Sequence, residues 1–393
     1  MLGSLSEDPI ARDHLIKLYK RSMRSHTMLK TSIVLFVVSC TLHHAALPIS
    51  NGLSAYSSRN EKADLVSTKV LDVAFINAHR LTRDMRRTLT ASEGNLMIGE
   101  RLCSGETFIV GRGGDAELLI VEDVINRVVP RSRQWPRRHS GIYPETTEGL
   151  QTFGDLYYNA MRSLEAPDLF ALFTHRFQVE DIVLPQTLSK SVALIHEDSM
   201  NPYWFDLPWS RCLQKKIVLI IHPFIDSIQC QLRRRNLIFP NALDVLPPFE
   251  AKFVKSFQCL GETTLPHSDW NETLHATQRL VDEVGPFDVA LIAAGSYGLP
   301  LAVYCKSVKK ASAIVIGGSM QQLFGLRGMR WDTKFPTGYK YAFTDHHIGA
   351  KGMYNENWMY PLKSDTIQDA EKIEHGSPYW GPPDMQLESC PIK

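Results

Sequence analysis

Asp115 and Glu117 lie two residues apart behind an arginine and two glycines, in the run Arg112-Gly-Gly-Asp-Ala-Glu117. On an extended segment, carboxylates at i and i+2 point to the same side, with Cα atoms roughly 6.5–7 Å apart. Their oxygens can then converge on one hard divalent cation, Mn²⁺ or Mg²⁺. Such an ion is a Lewis acid that offsets the charge on a diphosphate leaving group. A second reading stays open, in which both acids favour the N-terminus of a helix expected over 117–129. Arg112 can balance phosphate charge, with Gly114 beside it in the same loop.

Three further loops carry small or polar residues. Gly295-Ser296-Tyr297-Gly298 would expose backbone N–H groups at a helix start, where the dipole favours an anion; the alternative is that its glycines only permit a tight turn. Gly317-Gly318 follows another apolar run. His222 could orient a ligand or act as a base near neutral pH, or simply close a hydrogen bond at a strand end. His346-His347 suggests a metal site, although no third ligand spacing accompanies it. Tyr203, Trp204, Phe205 and Trp209 could form a sugar-stacking platform or pack a loop.

These residues need a scaffold that brings them to one edge. Ser191–Ile195, Lys216–Ile221, Asp288–Ala293 and Ser312–Ile316 are short and apolar on successive residues, as strands buried on both faces read. Glu106–Gly111 reads as a further strand. Helical periods are expected over 68–93, 117–129, 153–164, 167–173, 225–235, 250–257, 272–284 and 299–308. Strand alternating with helix implies an α/β fold, a Rossmann-like, doubly wound, mainly parallel sheet with a helical N-terminal extension. Ligands of such sheets sit at the carboxyl ends of the strands.

Composition limits the classes. The 393 residues are 44% hydrophobic and 22% charged, as in globular proteins. Lys+Arg number 43 against 42 Asp+Glu, so no global field draws the chain to nucleic acid. The 7 cysteines are scattered and form no CxxC, which argues against a zinc cage and against a disulfide scaffold. Residues 14–60 contain no Asp or Glu, and an apolar run covers 31–47. A membrane anchor, a signal peptide starting at Met28, a transit peptide and a buried helix are the competing readings. Arg80, Arg83, Arg86 and Arg87 read as a solvated face, with an anionic ligand as the minor reading. Asn271-Glu-Thr is a glycosylation sequon for a lumenal domain. The chain thus divides into an arm over 1–62, an α/β domain over 63–360 and a polar tail over 361–393.

A family resemblance emerges over residues 98 to 360. Gly105-Glu-Thr-Phe-Ile-Val-Gly-Arg-Gly-Gly-Asp-Ala-Glu117 resembles the Arg-x-Gly-Asp-x-Glu signature of the GT-D glycosyltransferase fold. The C-terminal half is similar to bacterial polysaccharide-biosynthesis proteins. That likeness rests on Pro208-Trp209, Val218-Leu-Ile-Ile-His-Pro-Phe224, Asp288-Val-Ala-Leu-Ile-Ala-Ala-Gly-Ser-Tyr-Gly-Leu-Pro-Leu-Ala302, Gly317-Gly318, Gln321-Gln-Leu-Phe-Gly-Leu-Arg-Gly-Met-Arg-Trp331 and Tyr354-Asn-Glu-Asn-Trp358. The resemblance implies a nucleotide-sugar site with Asp115 and Glu117 holding Mn²⁺ or Mg²⁺ at the diphosphate. The expected activity is transfer of a hexose from a nucleotide diphosphate sugar to a glycan, protein or lipid acceptor. The expected nucleotide-sugar contacts are Arg112, Gly114, Gly295, Ser296, Tyr297, Gly298, Gly317 and Gly318, with His222 positioned for the acceptor. The alternative is a binding module of a glycan-assembly complex that keeps the pocket without turnover. Expected locations are a membrane-anchored or secretory one, through 31–47, or an organelle.

Overall fold

The computed structural model describes residues 87–130, 135–173, 178–261, 263–334, 354–367, 370, 373 and 379–391. They fall in one compact unit, Lys62–Lys393. The apolar run 31–47, Arg80, Arg83, Arg86 and the pair His346-His347 lie outside the described residues. Among the described residues no helix is long and apolar enough to cross a membrane.

Among the described residues eight strands form one sheet, and every pairing in it is parallel. They are β1 (Thr88–Leu89), β2 (Ile109–Arg112), β3 (Leu169–Leu172), β4 (Ala193–His196), β5 (Ile217–His222), β6 (Glu250–Lys255), β7 (Val289–Ile292) and β8 (Ser312–Val315), in the spatial order β1-β4-β3-β2-β8-β7-β5-β6. Between them run α1 (Ala91–Ser104), α2 (Asp115–Ile125), α3 (Trp135–Ser140), α4 (Thr147–Arg162), α5 (Gln178–Thr187), α6 (Ile225–Arg233), α7 (Arg235–Ile238), α8 (Trp270–Glu283), α9 (Gly298–Ser307), α10 (Met320–Leu323) and α11 (Met329–Lys334).

The winding is double, as the strand side chains show. Leu219, Ile221, Ala290, Ile292, Ala313 and Val315 join a core built with α2, α4, α5, α8 and α9. Their neighbours Val218, Ile220, Val289, Leu291 and Ile314 join a second core with α1, α6 and α7. Successive side chains of a strand point to opposite faces, so continuous apolar runs are what a sheet covered on both sides requires.

Two expected helices are strands, and the described end of a third, 87–93, holds a short strand before a helix begins. Leu169–Leu172 is fully buried in mid-sheet, and four apolar residues buried on both faces are too short to show a period. Glu250–Lys255 is the edge strand, partly exposed, so its polar residues blurred the alternation. Thr88–Leu89 forms the other edge, and α1 starts at Ala91 under a capping box made by Thr90 and Glu93.

Two further expectations are corrected. The scattered cysteines form Cys103–Cys212 and Cys230–Cys390, at sequence separations of 109 and 160. Partners that distant leave no spacing signal. The described part of the segment after 360 is no polar tail. Trp380 is 1% exposed and meets Phe224 at 5.2 Å between ring centroids. Asp365 accepts hydrogen bonds from the Ser227 N–H at 2.8 Å and hydroxyl at 2.7 Å, and pairs with Lys255 at 2.9 Å. Tyr354-Asn-Glu-Asn-Trp358 has the same tying role. Asn355 donates to the carbonyls of Leu237 and Ile238, and the Trp358 indole N–H donates to Ile238.

At the amino edge of the sheet Asp168 is 1% exposed. It accepts from Ile109 N–H at 2.8 Å and Glu165 N–H at 3.2 Å, and both its oxygens lie 2.8 Å from Lys306 Nζ. One carboxylate thus joins β2, the start of β3 and α9. Asp168→Ala leaves a buried N–H and an ammonium without their partner. Denaturant unfolding should show a loss of ~3–5 kcal/mol, and a change below ~1 kcal/mol would contradict this role.

Candidate functional site

The connection leaving β2 runs to β3 on one side, and the connection leaving β5 runs to β6 on the other. A crevice at the carboxyl ends follows from that divergence. The cleft found there has a volume of about 370 Å³. It is lined by residues at the ends of β3, β2, β8, β7, β5 and β6, together with the end of α3 and Tyr379.

Of the residues expected from sequence, Arg112, Gly114, Asp115, Glu117, His222, Gly295, Tyr297, Gly317 and Gly318 line this cleft. Ser296 and Gly298 do not. Ser296 is buried; its Oγ accepts from the Trp270 indole N–H at 2.8 Å and donates to the Ser140 carbonyl at 2.7 Å. Trp270 also stacks on Tyr297, 5.0 Å between centroids at 7°. These contacts bolt the turn after β7 to the end of α3, so Ser296 shapes the cleft from behind. Gly298 starts α9 against Val315 of β8.

The two acids are not on an extended segment. Asp115 is the first residue of α2, where i and i+2 diverge by about 200° around the axis. Gly114 is the N-cap and offers no side chain, and within the first turn Asp115 Oδ1 accepts from Ala116 N–H at 2.9 Å. Glu117 turns inward, 6% exposed, and its Oε2 has no hydrogen-bond partner. A Cβ on residue 114 would stand 2.4 Å from that oxygen, so glycine there is what makes room for the carboxylate. Desolvation pushes the Glu117 pKa up to about 7, assisted by the charge of Asp115. Its own backbone N–H, the Ser140 hydroxyl and the Arg112 charge oppose the rise.

Arg112 is held from two sides. Its Nη1 donates to the Ile316 carbonyl at 3.4 Å, and its guanidinium lies over the Phe173 ring at 4.8 Å. Gly317 adopts φ +67°, and a Cβ on it would come within 3.2 Å of the guanidinium carbon. The backbone after β8 can therefore approach Arg112 only as glycine.

His222 is 2% exposed, and burial pushes its pKa down to about 3. Its Nδ1 accepts from the Phe224 N–H at 2.9 Å, so the neutral ring carries its proton on Nε2. The expected base is thereby corrected: His222 closes its strand end and can offer the cleft a donor only.

Tyr203 and Trp209 are buried, and the Trp209 indole N–H donates to the Met200 carbonyl at 3.2 Å. They pack a loop rather than present a sugar platform. Phe173, Cys259, Gln321, the segment 139–141 and Tyr379 line the cleft without having been singled out. Tyr379 is brought in by the C-terminal segment, its carbonyl accepting from Gln321 Nε2 at 2.8 Å. The one local signal for this wall was the Gln321-Gln322 stretch, read from sequence only as part of a likeness.

The charged side chains of the lining are Arg112, Asp115 and Glu117, with His139, His222, Cys259, Tyr297 and Tyr379 as further titratable groups. Among the described residues no cluster of three or more His, Cys, Asp or Glu is placed to hold a metal. Two carboxylates nevertheless suit a hard cation whose remaining ligands are water and phosphate oxygens. The orphaned Glu117 oxygen fits that use.

No family model matches the chain, and no curated protein matches it. A solved structure, described as the selenomethionine-substituted structure of domain of unknown function 1792, is similar over 61% of this chain and 80% of its own. The identity is 11% and the TM-score 0.38, a level that carries no functional argument.

Glu117 binds a proton more tightly when folded than when unfolded. Its contribution is therefore favourable at acid pH and is lost as pH rises from about 4.5 to about 7. Glu117→Gln should unfold with nearly the wild-type free energy at pH 4 and be more stable by roughly 2–4 kcal/mol above pH 7. Parallel stability curves for the two proteins between pH 4 and 8 would refute the assignment.

Proposed function

We propose that the chain is a metal-dependent glycosyltransferase that moves a hexose from a nucleotide diphosphate sugar to a hydroxyl of a glycan, protein or lipid. One observation carries the reading. A buried carboxylate with an unpartnered oxygen stands beside a second carboxylate and an arginine, where the parallel strands diverge. A bare diphosphate would be repelled by two carboxylates next to one guanidinium. A divalent cation removes that conflict and, when bound, stabilises the departing diphosphate as a Lewis acid.

The chain's own residues divide the remaining work. Asp115 and Glu117 would hold Mn²⁺ or Mg²⁺. Arg112, fixed by Ile316 and Phe173, faces phosphate charge with a geometry set before binding. The short helical turns at Gly295–Tyr297 and Gly317–Ser319 have no side-chain cap, unlike α1, α4 and α8, which are capped by Thr90, Thr146 and Asp269. Their first N–H groups thus remain for an anion. Phe173, Phe257 and Tyr379 supply apolar faces for a base or a sugar ring. The Nε2–H of His222 can donate to a ligand oxygen.

A binding module without turnover is the second reading. It is favoured by His222, whose acceptor nitrogen is already used and which cannot take a proton from an acceptor hydroxyl. Release of free sugar or of nucleoside diphosphate separates the two. Two disulfides support an oxidising compartment for the domain in either case.

Thermal unfolding of the wild type with UDP-, GDP- and TDP-sugars, each with and without Mn²⁺, tests the reading. One sugar nucleotide should raise the Tm in a metal-dependent way, corresponding to about 2.7 kcal/mol at a hundredfold excess over Kd. Asp115→Ala should keep the fold and lose the metal-dependent part. A wild type that responds to none of these ligands in Mn²⁺ would overturn the proposal.

A further inference from the structure

We propose that Asn271 carries an N-linked glycan, on an outward face of α8, and that the domain folds in an oxidising lumen. The inference is independent of what the cleft binds.

Two observations converge on it. The first is redox chemistry. Cys103–Cys212 joins the end of α1 to the loop before β5, and Cys230–Cys390 joins α6 to the C-terminal segment. These bonds, between cysteines 109 and 160 residues apart, form and persist in oxidising compartments, where no reducing pool removes them. Such compartments in eukaryotic cells are also where Asn-x-Ser/Thr is glycosylated. The second is the tripeptide itself. Asn271-Glu-Thr273 is the one such sequence in the chain whose middle residue is not proline.

Its setting admits a glycan. Asn271 is the second residue of α8 and is half-exposed. His275 and Arg279, one and two turns on, are exposed on the same outward stripe. The opposite face, with Trp270, Thr273, Leu274 and Thr277, is buried. No hydrogen bond ties the Asn271 amide to another described residue. A sugar on Nδ2 therefore breaks no hydrogen bond of the amide. The Thr273 hydroxyl is taken in the folded protein, 2.9 Å from His267 Nδ1 and hydrogen-bonded to the Tyr143 hydroxyl. Modification thus precedes folding of this segment, while the sequon is still extended.

A bond forms between Asn271 Nδ2 and the anomeric carbon of an oligosaccharide. The bond from that carbon to a lipid-linked diphosphate breaks, and the diphosphate leaves with its lipid. The amide loses one proton to a base of the host transferase.

The test uses the full chain expressed in a eukaryotic host, with the gel mobility of the recovered protein compared before and after an amidase that cleaves N-glycans. The expected result is a single downward step in apparent mass. Asn271→Gln should migrate at the treated position without treatment, whereas Thr273→Ser, which keeps both sequon and hydroxyl, should retain the step. Wild-type protein that does not respond to the amidase would overturn the proposal, and so would a step that survives in Asn271→Gln.

Discussion

A strand with both faces buried cannot carry charge along its length without desolvating it. Everything distinctive about this domain follows from that constraint. The inner strands of the parallel sheet are walled on both sides by helices, so along them polar chemistry is confined to the two ends. The ends are put to different uses. At the amino edge, Asp168 is saturated by a lysine and two backbone donors. At the carboxyl edge, Glu117 is nearly as buried and keeps one oxygen with no donor. A saturated buried charge stabilises the fold. An unsaturated one costs stability unless something else occupies the site. The contrast between these two carboxylates, at opposite ends of the same sheet, is the physical basis of the ligand site proposed around Glu117.

The cleft around Glu117 is assembled from parts that are rigid for separate reasons. Arg112 is fixed by a carbonyl and an aromatic ring. The turn after β7 is fixed through Ser296 to Trp270 and to the end of α3. The wall at Tyr379 belongs to the C-terminal segment, anchored by Trp380, by Asp365 and by the Cys230–Cys390 bond. Residues more than 250 positions apart in the chain, Arg112 and Tyr379, thereby face one space. Preorganisation of this kind lets charge be stabilised without reorganising the surroundings during a reaction.

Much of the frame was readable in the amino-acid order. Four buried strands announced themselves as continuous apolar runs, and the glycine-rich turns after them did mark the cleft rim. The failures have physical causes. Leu169–Leu172 was too short to show a period, and the edge strand Glu250–Lys255 mixes exposed and half-buried positions. Asp115 and Glu117 were identified as a pair, but their geometry depends on whether α2 begins at residue 115 or 117. That start is set by how the turn after β2 packs, including the room that Gly114 leaves for Glu117.

Local order along the chain thus specifies which segments are apolar enough to be strands and which turns are small enough to sit beside a ligand. Periodicity and residue size act over a few neighbours and need no partner. The remaining features arise from contacts across the fold. They include the protonation of Glu117, the tautomer of His222, the pairing of cysteines and the arrival of Tyr379 in the cleft. Each depends on desolvation or on a partner more distant than any local pattern reaches, because burial and hydrogen bonding belong to the packed chain and not to its order of residues.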